Sequence, residues 1–101
     1  MATDLIEIDQ DNPDVASLER AAETIRRGGV VAIPSDALYI LVAAPVNLHA
    51  VGRVFAAKGR ESARALPLLV RDLIMAEELT TEMTKRFYLL ARHFWPGPLT
   101  V

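Results

Sequence analysis

Apolar residues fall in two short unbroken blocks, Val30-Val31-Ala32-Ile33 and Leu38-Tyr39-Ile40-Leu41-Val42. Blocks this free of polar residues are the pattern of strands covered on both faces, so residues 30–33 and 38–42 are read as buried strands. Between them Pro34-Ser35-Asp36 breaks the run and supplies side-chain oxygens that can bond local backbone N–H groups, which makes the connection a polar turn. From Asn47 the period lengthens to about 3.6 residues. Leu48, Val51, Val54 and Phe55 then share one face, Asn47 stands at the N-cap, and Lys58-Gly59 ends the helix with a glycine able to take the left-handed cap conformation.

The flanking segments extend the alternation of strand and helix. Leu5-Ile6-Glu7-Ile8 has the look of a short first strand. Asn12-Pro13 marks a helix start, with Asp14 favourable at the positive end of the dipole and Val15, Leu18, Ala22 and Ile25 as the buried stripe. Arg26 and Arg27 suit its last turn, and Gly28-Gly29 stops it. After the apolar run 66–70, Asp72 caps a helix over residues 73–79, and Thr80 or Thr81 caps another from Glu82 to about His93. Met83, Phe87, Leu90 and Phe94, spaced 4, 3 and 4 apart, form a core stripe. Trp95-Pro96-Gly97-Pro98 is a rigid turn leading into Leu99-Thr100-Val101, the opening of a further strand. Alternating elements with short connections predict an α/β fold in a single domain over residues 1–101.

Composition narrows the function classes. A chain of 101 residues, 51% hydrophobic and 24% charged, is globular. A net charge of −2 argues against a generally basic nucleic-acid surface, so any RNA contact has to rest on a local patch. The absence of cysteine excludes a disulfide framework and thiol catalysis. No apolar run approaches the roughly 18 residues of a membrane span and the first ten residues do not read as a signal peptide, so a cytoplasmic protein without membrane contact is expected. His49 and His93 are isolated in sequence, without the clustered partners a metal site requires, so no metal ligands are assigned. Ser35 with Asp36 has no neighbouring base, and no catalytic nucleophile is assigned. Neither G-x-G-x-x-G nor G-x-x-x-x-G-K-[ST] occurs, so a nucleotide would have to be held by other geometry.

One cluster carries candidate chemistry. Lys58, Arg60 and Arg64 fall within seven residues, opposed only by Glu61. Such a loop can grip phosphate or carboxylate, although lysines and arginines between a helix and a strand are most often just solvated surface.

The order Arg27-Gly28-Gly29-Val30-Val31-Ala32-Ile33-Pro34-Ser35-Asp36, Leu38-Tyr39, Phe55-Ala56-Ala57-Lys58-Gly59-Arg60, Leu66-Pro67-Leu68-Leu69-Val70 and Phe94-Trp95-Pro96-Gly97-Pro98-Leu99-Thr100 resembles the YrdC-like family. That family includes the threonylcarbamoyl-adenylate synthases, and the resemblance runs from about Leu5 to the last residue. It implies a twisted mixed sheet with flanking helices around a positively lined cleft. It also implies formation of threonylcarbamoyl-AMP from ATP, L-threonine and bicarbonate, with release of pyrophosphate, for the modification of tRNA. By this resemblance Lys58, Arg60 and Arg64 bind ATP, and Ser35 and Ala37 lie at the threonine site. ATP is then a substrate, and Mg²⁺ is expected to accompany it. Fixed cations fit the chemistry, because charge builds on the phosphates during adenylyl transfer.

Two positions depart from the family's usual Pro-Thr-Asp/Glu-Thr-Val-Tyr-Gly-Leu. Ala37 stands where many members carry a threonine-contacting hydroxyl, and Ile40 replaces a glycine that commonly marks close approach of a ligand. Ile40 either fills part of a pocket or is one more core residue. Family domains continue past the Trp-Pro-Gly-Pro-Leu-Thr block into a Ser-x-Asn segment, so the chain is expected to be the N-terminal portion of the domain and incomplete for turnover. The alternative is a non-catalytic module binding nucleotide or double-stranded RNA.

Overall fold

A computed structural model of the protein describes residues 3–59 and 65–101. The elements run α1 (Val15–Arg26), β1 (Val31–Pro34), β2 (Tyr39–Val42), α2 (Leu48–Lys58), α3 (Leu73–Leu79) and α4 (Lys85–Phe94), with β1 and β2 hydrogen-bonded as neighbours. The class is α/β, as the alternation of patterns predicts. A connection of four residues is far too short for a parallel crossover, so the two strands form an antiparallel hairpin. Two compact units divide the chain, one containing α1 and α2 and the other α3, α4 and the hairpin tip Pro34–Ile40.

In the first unit the polypeptide is shaped by its helix ends. Asp14 caps α1 by accepting from the Ser17 N–H at 3.2 Å, so the helix begins beyond Pro13 rather than at Asn12-Pro13. At the other end the Gly28 N–H donates to Ile25 O at 3.0 Å and the Gly29 N–H to Thr24 O at 2.9 Å. This is the double bond of a Schellman motif, and it places Gly28 at φ +88°. The Asn47 side chain accepts from the Ala50 N–H at 3.0 Å to start α2, and Gly59 ends it at φ +66°. Both α2 caps match the sequence reading. The two helix ends meet, because a Cβ on Gly28 would lie 2.7 Å from Asn47 Nδ2.

Burial in this unit is concentrated on α2, where Ala50, Val54 and Phe55 are buried. Leu48, expected on the same face, sits in the first turn and is 83% exposed. The α1 stripe is likewise only half covered: Ala22 and Ile25 are half-buried, while Val15 is 66% exposed and Leu18 is exposed. The cause is positional, since the covered residues lie in the half of α1 that leads into the Gly28–Asn47 junction. Residues 5–8 form no strand, and Leu5 is 92% exposed. A strand needs a hydrogen-bonding neighbour, and none among the described residues pairs with this segment. Its tie to α1 is an exposed ion pair, Arg20 to Asp4 at 2.9 Å.

The hairpin strands occupy Val31–Pro34 and Tyr39–Val42, each about one residue inside or beyond the expected bounds. They are not buried on both faces: Val31 and Ile33 are half-buried, Ala32 and Pro34 exposed, and Tyr39 is 74% exposed. A two-stranded ribbon lacks the outer neighbours that would cover such apolar runs.

In the second unit Asp72 caps α3 through the Met75 N–H at 2.9 Å, over the predicted residues. Helix α4 begins later than expected. Its cap is Thr84, whose Oγ1 accepts from the Phe87 N–H at 3.2 Å, whereas the Thr80 hydroxyl is turned back to Ala76 O at 3.1 Å. Ala76 and Ala91 are the buried residues of α3 and α4. Met83 lies before the helix, Phe87 and Leu90 are half-buried, and Phe94 is 51% exposed, so the expected core stripe is a partial one. Residues 66–70 and 99–101 form no strand among the described residues. The Leu99 backbone is instead used inside the turn, accepting from Trp95 Nε1–H at 2.9 Å and donating to Gly97 O at 2.9 Å. Phe87 meets Trp95 edge-on at 5.6 Å, which anchors the Trp-Pro-Gly-Pro turn on α4.

Candidate functional site

The hairpin turn is built by Ser35. Its N–H donates to Leu38 O at 2.9 Å, its hydroxyl donates to the same carbonyl, and its Oγ accepts from the Leu38 N–H at 3.2 Å. A serine hydroxyl has one hydrogen and two acceptor positions, so this bracing consumes the donor and leaves one acceptor open. Asp36 and Ala37 form the tip, and both are exposed. The Asp36 carboxylate has no hydrogen-bond or ion-pair partner among the described residues, and Ala37 offers only a methyl group. Ile40 is half-buried in β2.

Lys58 is the last residue of α2, exposed and without an ion-pair partner among the described residues. The helix places it where a cation complements the negative end of the dipole, and Gly59 turns the chain away immediately after it. Arg60 and Arg64 lie outside the described residues. Lys58 and the Ser35–Ala37 turn belong to different units.

Other chemistry is sparse. Among the described residues no group of three or more His, Cys, Asp and Glu is arranged to hold a metal ion. His93 packs edge-on against Phe94 at 4.8 Å. A depression of about 200 Å³ in the second unit is lined by Glu77, Thr80, Thr81, Glu82, Met83 and Tyr88. None of the sequence-assigned residues lines it, and its two carboxylates give it the wrong sign for phosphate. No helix among the described residues is long and apolar enough to cross a membrane.

The family model for Sua5, YciO and YrdC proteins, described as "Telomere recombination", matches residues 23–101. The chain belongs to the Sua5/YciO/YrdC family. Among similar members, a threonylcarbamoyl-AMP synthase of Pyrococcus abyssi is 40% identical over 80% of this chain and 24% of its own length. One of Bacillus subtilis is 35% identical over 94% of this chain and 27% of its own. One of Halorhodospira halophila is 32% identical, covering 82% of this chain and 44% of its own. A solved structure of a doubly substituted Sua5 from P. abyssi superposes with a TM-score of 0.81 and 33% identity, over 87% of this chain and 27% of that one. The fold is therefore that of the Sua5/YrdC domain, and the chain spans about a quarter of the length of the first two relatives.

Proposed function

We propose that this chain supplies part of the substrate site of a threonylcarbamoyl-AMP synthase, in which ATP, L-threonine and bicarbonate give threonylcarbamoyl-AMP and pyrophosphate for tRNA modification in the cytoplasm. The observation that carries the reading is family membership over residues 23–101, with synthases among the similar relatives. It covers every residue assigned to a ligand. ATP is proposed to lie against Lys58, Arg60 and Arg64, and threonine at the turn of Ser35 and Ala37. Mg²⁺ enters as the ATP complex, held chiefly by phosphate oxygens.

The chemistry assigned to these side chains is electrostatic. Threonine's amine condenses with bicarbonate, losing water, and when an oxygen of the resulting N-carboxylate attacks the α-phosphorus, the bond to the pyrophosphate oxygen breaks and negative charge collects on the departing phosphates. Lys58 at the end of α2 and the two arginines that follow it in sequence are the cations proposed to stabilise that charge as it forms. At the amino-acid end, Ser35 offers a neutral acceptor and Ala37 a methyl group.

The test is calorimetric titration of the chain with Mg·ATP, followed by titration of the ATP-loaded chain with L-threonine. Binding that weakens about tenfold in Lys58→Ala supports the reading, since a charge-assisted contact is lost. Absence of ATP binding at millimolar concentration overturns it. Binding of Mg·ATP without binding of threonine would instead favour a non-catalytic module for nucleotide or double-stranded RNA, the reading that Ala37 and Ile40 motivate.

A further inference from the structure

The hairpin turn can be read by its inventory of hydrogen-bonding groups. Ser35 has spent its hydroxyl hydrogen on Leu38 O, so toward a ligand it can only accept. Asp36, exposed at the tip, is an acceptor carrying negative charge, and Ala37 is neither donor nor acceptor. The side chains of the turn thus present acceptors and no donors. The backbone N–H groups of Asp36 and Ala37 have no partner among the described residues, but the adjacent carboxylate sets the sign of the potential there.

A zwitterionic amino acid has a donor-rich cationic end and an acceptor-only anionic end. On these observations we infer that the turn receives the substrate's ammonium end, with Asp36 as its charge partner and Ser35 as the positioning residue that holds Asp36 and Ala37 at the tip. The carboxylate of the amino acid faces away and finds its donors elsewhere. The inference rests on the proposed threonine site and deepens it by fixing the direction of the ligand and adding Asp36 to the residues that recognise it.

The experiment is an amide NMR titration of the full chain, first with Mg·ATP and then with three probes: L-threonine, L-threonine amide and N-acetyl-L-threonine. The amide keeps the cation and loses the anion; the acetyl compound does the reverse. Shifts at residues 35–38 with threonine and its amide but not with the acetyl compound are expected. Asp36→Asn should weaken threonine binding about tenfold while leaving Mg·ATP binding unchanged, because a charged partner becomes a neutral one. Ser35→Thr, which keeps the hydroxyl, should retain the ammonium preference that Ser35→Ala loses. Equal response of the turn to the acetyl compound overturns the inference, as does unchanged threonine affinity in Asp36→Asn. If ATP binds and threonine leaves the turn unmoved, the inference falls while the nucleotide reading stands; if neither binds, both fall.

Discussion

A methyl group added at Gly28 or at Gly59 would meet different surroundings, although both residues sit at positive φ. The left-handed backbone alone costs a non-glycine residue about 1–2 kcal/mol. At Gly59 nothing lies within 4 Å of the added carbon, so that cost is the whole effect. At Gly28 the carbon would come within 2.7 Å of Asn47 Nδ2, and the amide that must move is the one capping α2 through the Ala50 N–H. Gly28→Ala is therefore expected to be the more destabilising, by about one further N-cap, ~1 kcal/mol. Thermal unfolding should register that difference as about 4–8 °C in Tm. The coupling is checked in an Asn47→Ala background, where the extra cost of Gly28→Ala disappears. Equal effects of Gly28→Ala and Gly59→Ala would mean that the junction of α1 with α2 carries no energy.

Helix α4 shows how competing caps are resolved within an element. Thr80, Thr81 and Thr84 all precede the apolar stripe, and only Thr84 accepts from the N–H three residues on. Thr84→Ala should cost about 1 kcal/mol in urea unfolding, and Thr81→Ala close to nothing; the reverse order would place the start of α4 at Glu82. Caps of this kind explain which parts of the chain were legible. Asn47, Asp72 and Gly59 act on backbone within three or four residues, so their roles could be read directly, as could the α/β alternation and the polar turn at Ser35. Burial could not, because it depends on partners distant in sequence. Val15 and Leu48 fit their stripes yet remain exposed, and residues 5–8 have strand composition with no neighbour to pair. At the candidate site, Lys58 stood out by type and position and Ser35 as a turn former, while their ligand roles came only from the family resemblance. Asp36 did not, because its significance comes from the two bonds by which Ser35 and Leu38 satisfy each other. A serine spaced three residues before a strand's first apolar residue was the signal for that bracing.

At the scale of the molecule, acid should loosen both units through one carboxylate in each. Contacts with Arg26, then Arg27, hold the Glu23 carboxyl below the usual range at the end of α1. The Met75 backbone N–H, followed by Arg71, does the same for Asp72 at the start of α3. A carboxyl lowered in the folded state binds fewer protons there than in the unfolded chain, so its stabilisation is present above the unfolded value, near pH 4, and is lost as pH falls through the lower folded value. Urea midpoints should accordingly be level from about pH 6 to 5 and decline toward about pH 2. Both groups are exposed, so the slope is shallow. Salt separates their contributions. The Glu23 pairs at 3.2 and 3.0 Å are surface charges that added salt screens, whereas the Asp72 bond to a backbone N–H at 2.9 Å survives it. Glu23→Gln should flatten the acid decline at low salt and make little difference at high salt. Asp72→Asn, which still caps but no longer titrates, should flatten it at both, and a decline unchanged by either substitution would assign acid sensitivity to other carboxylates.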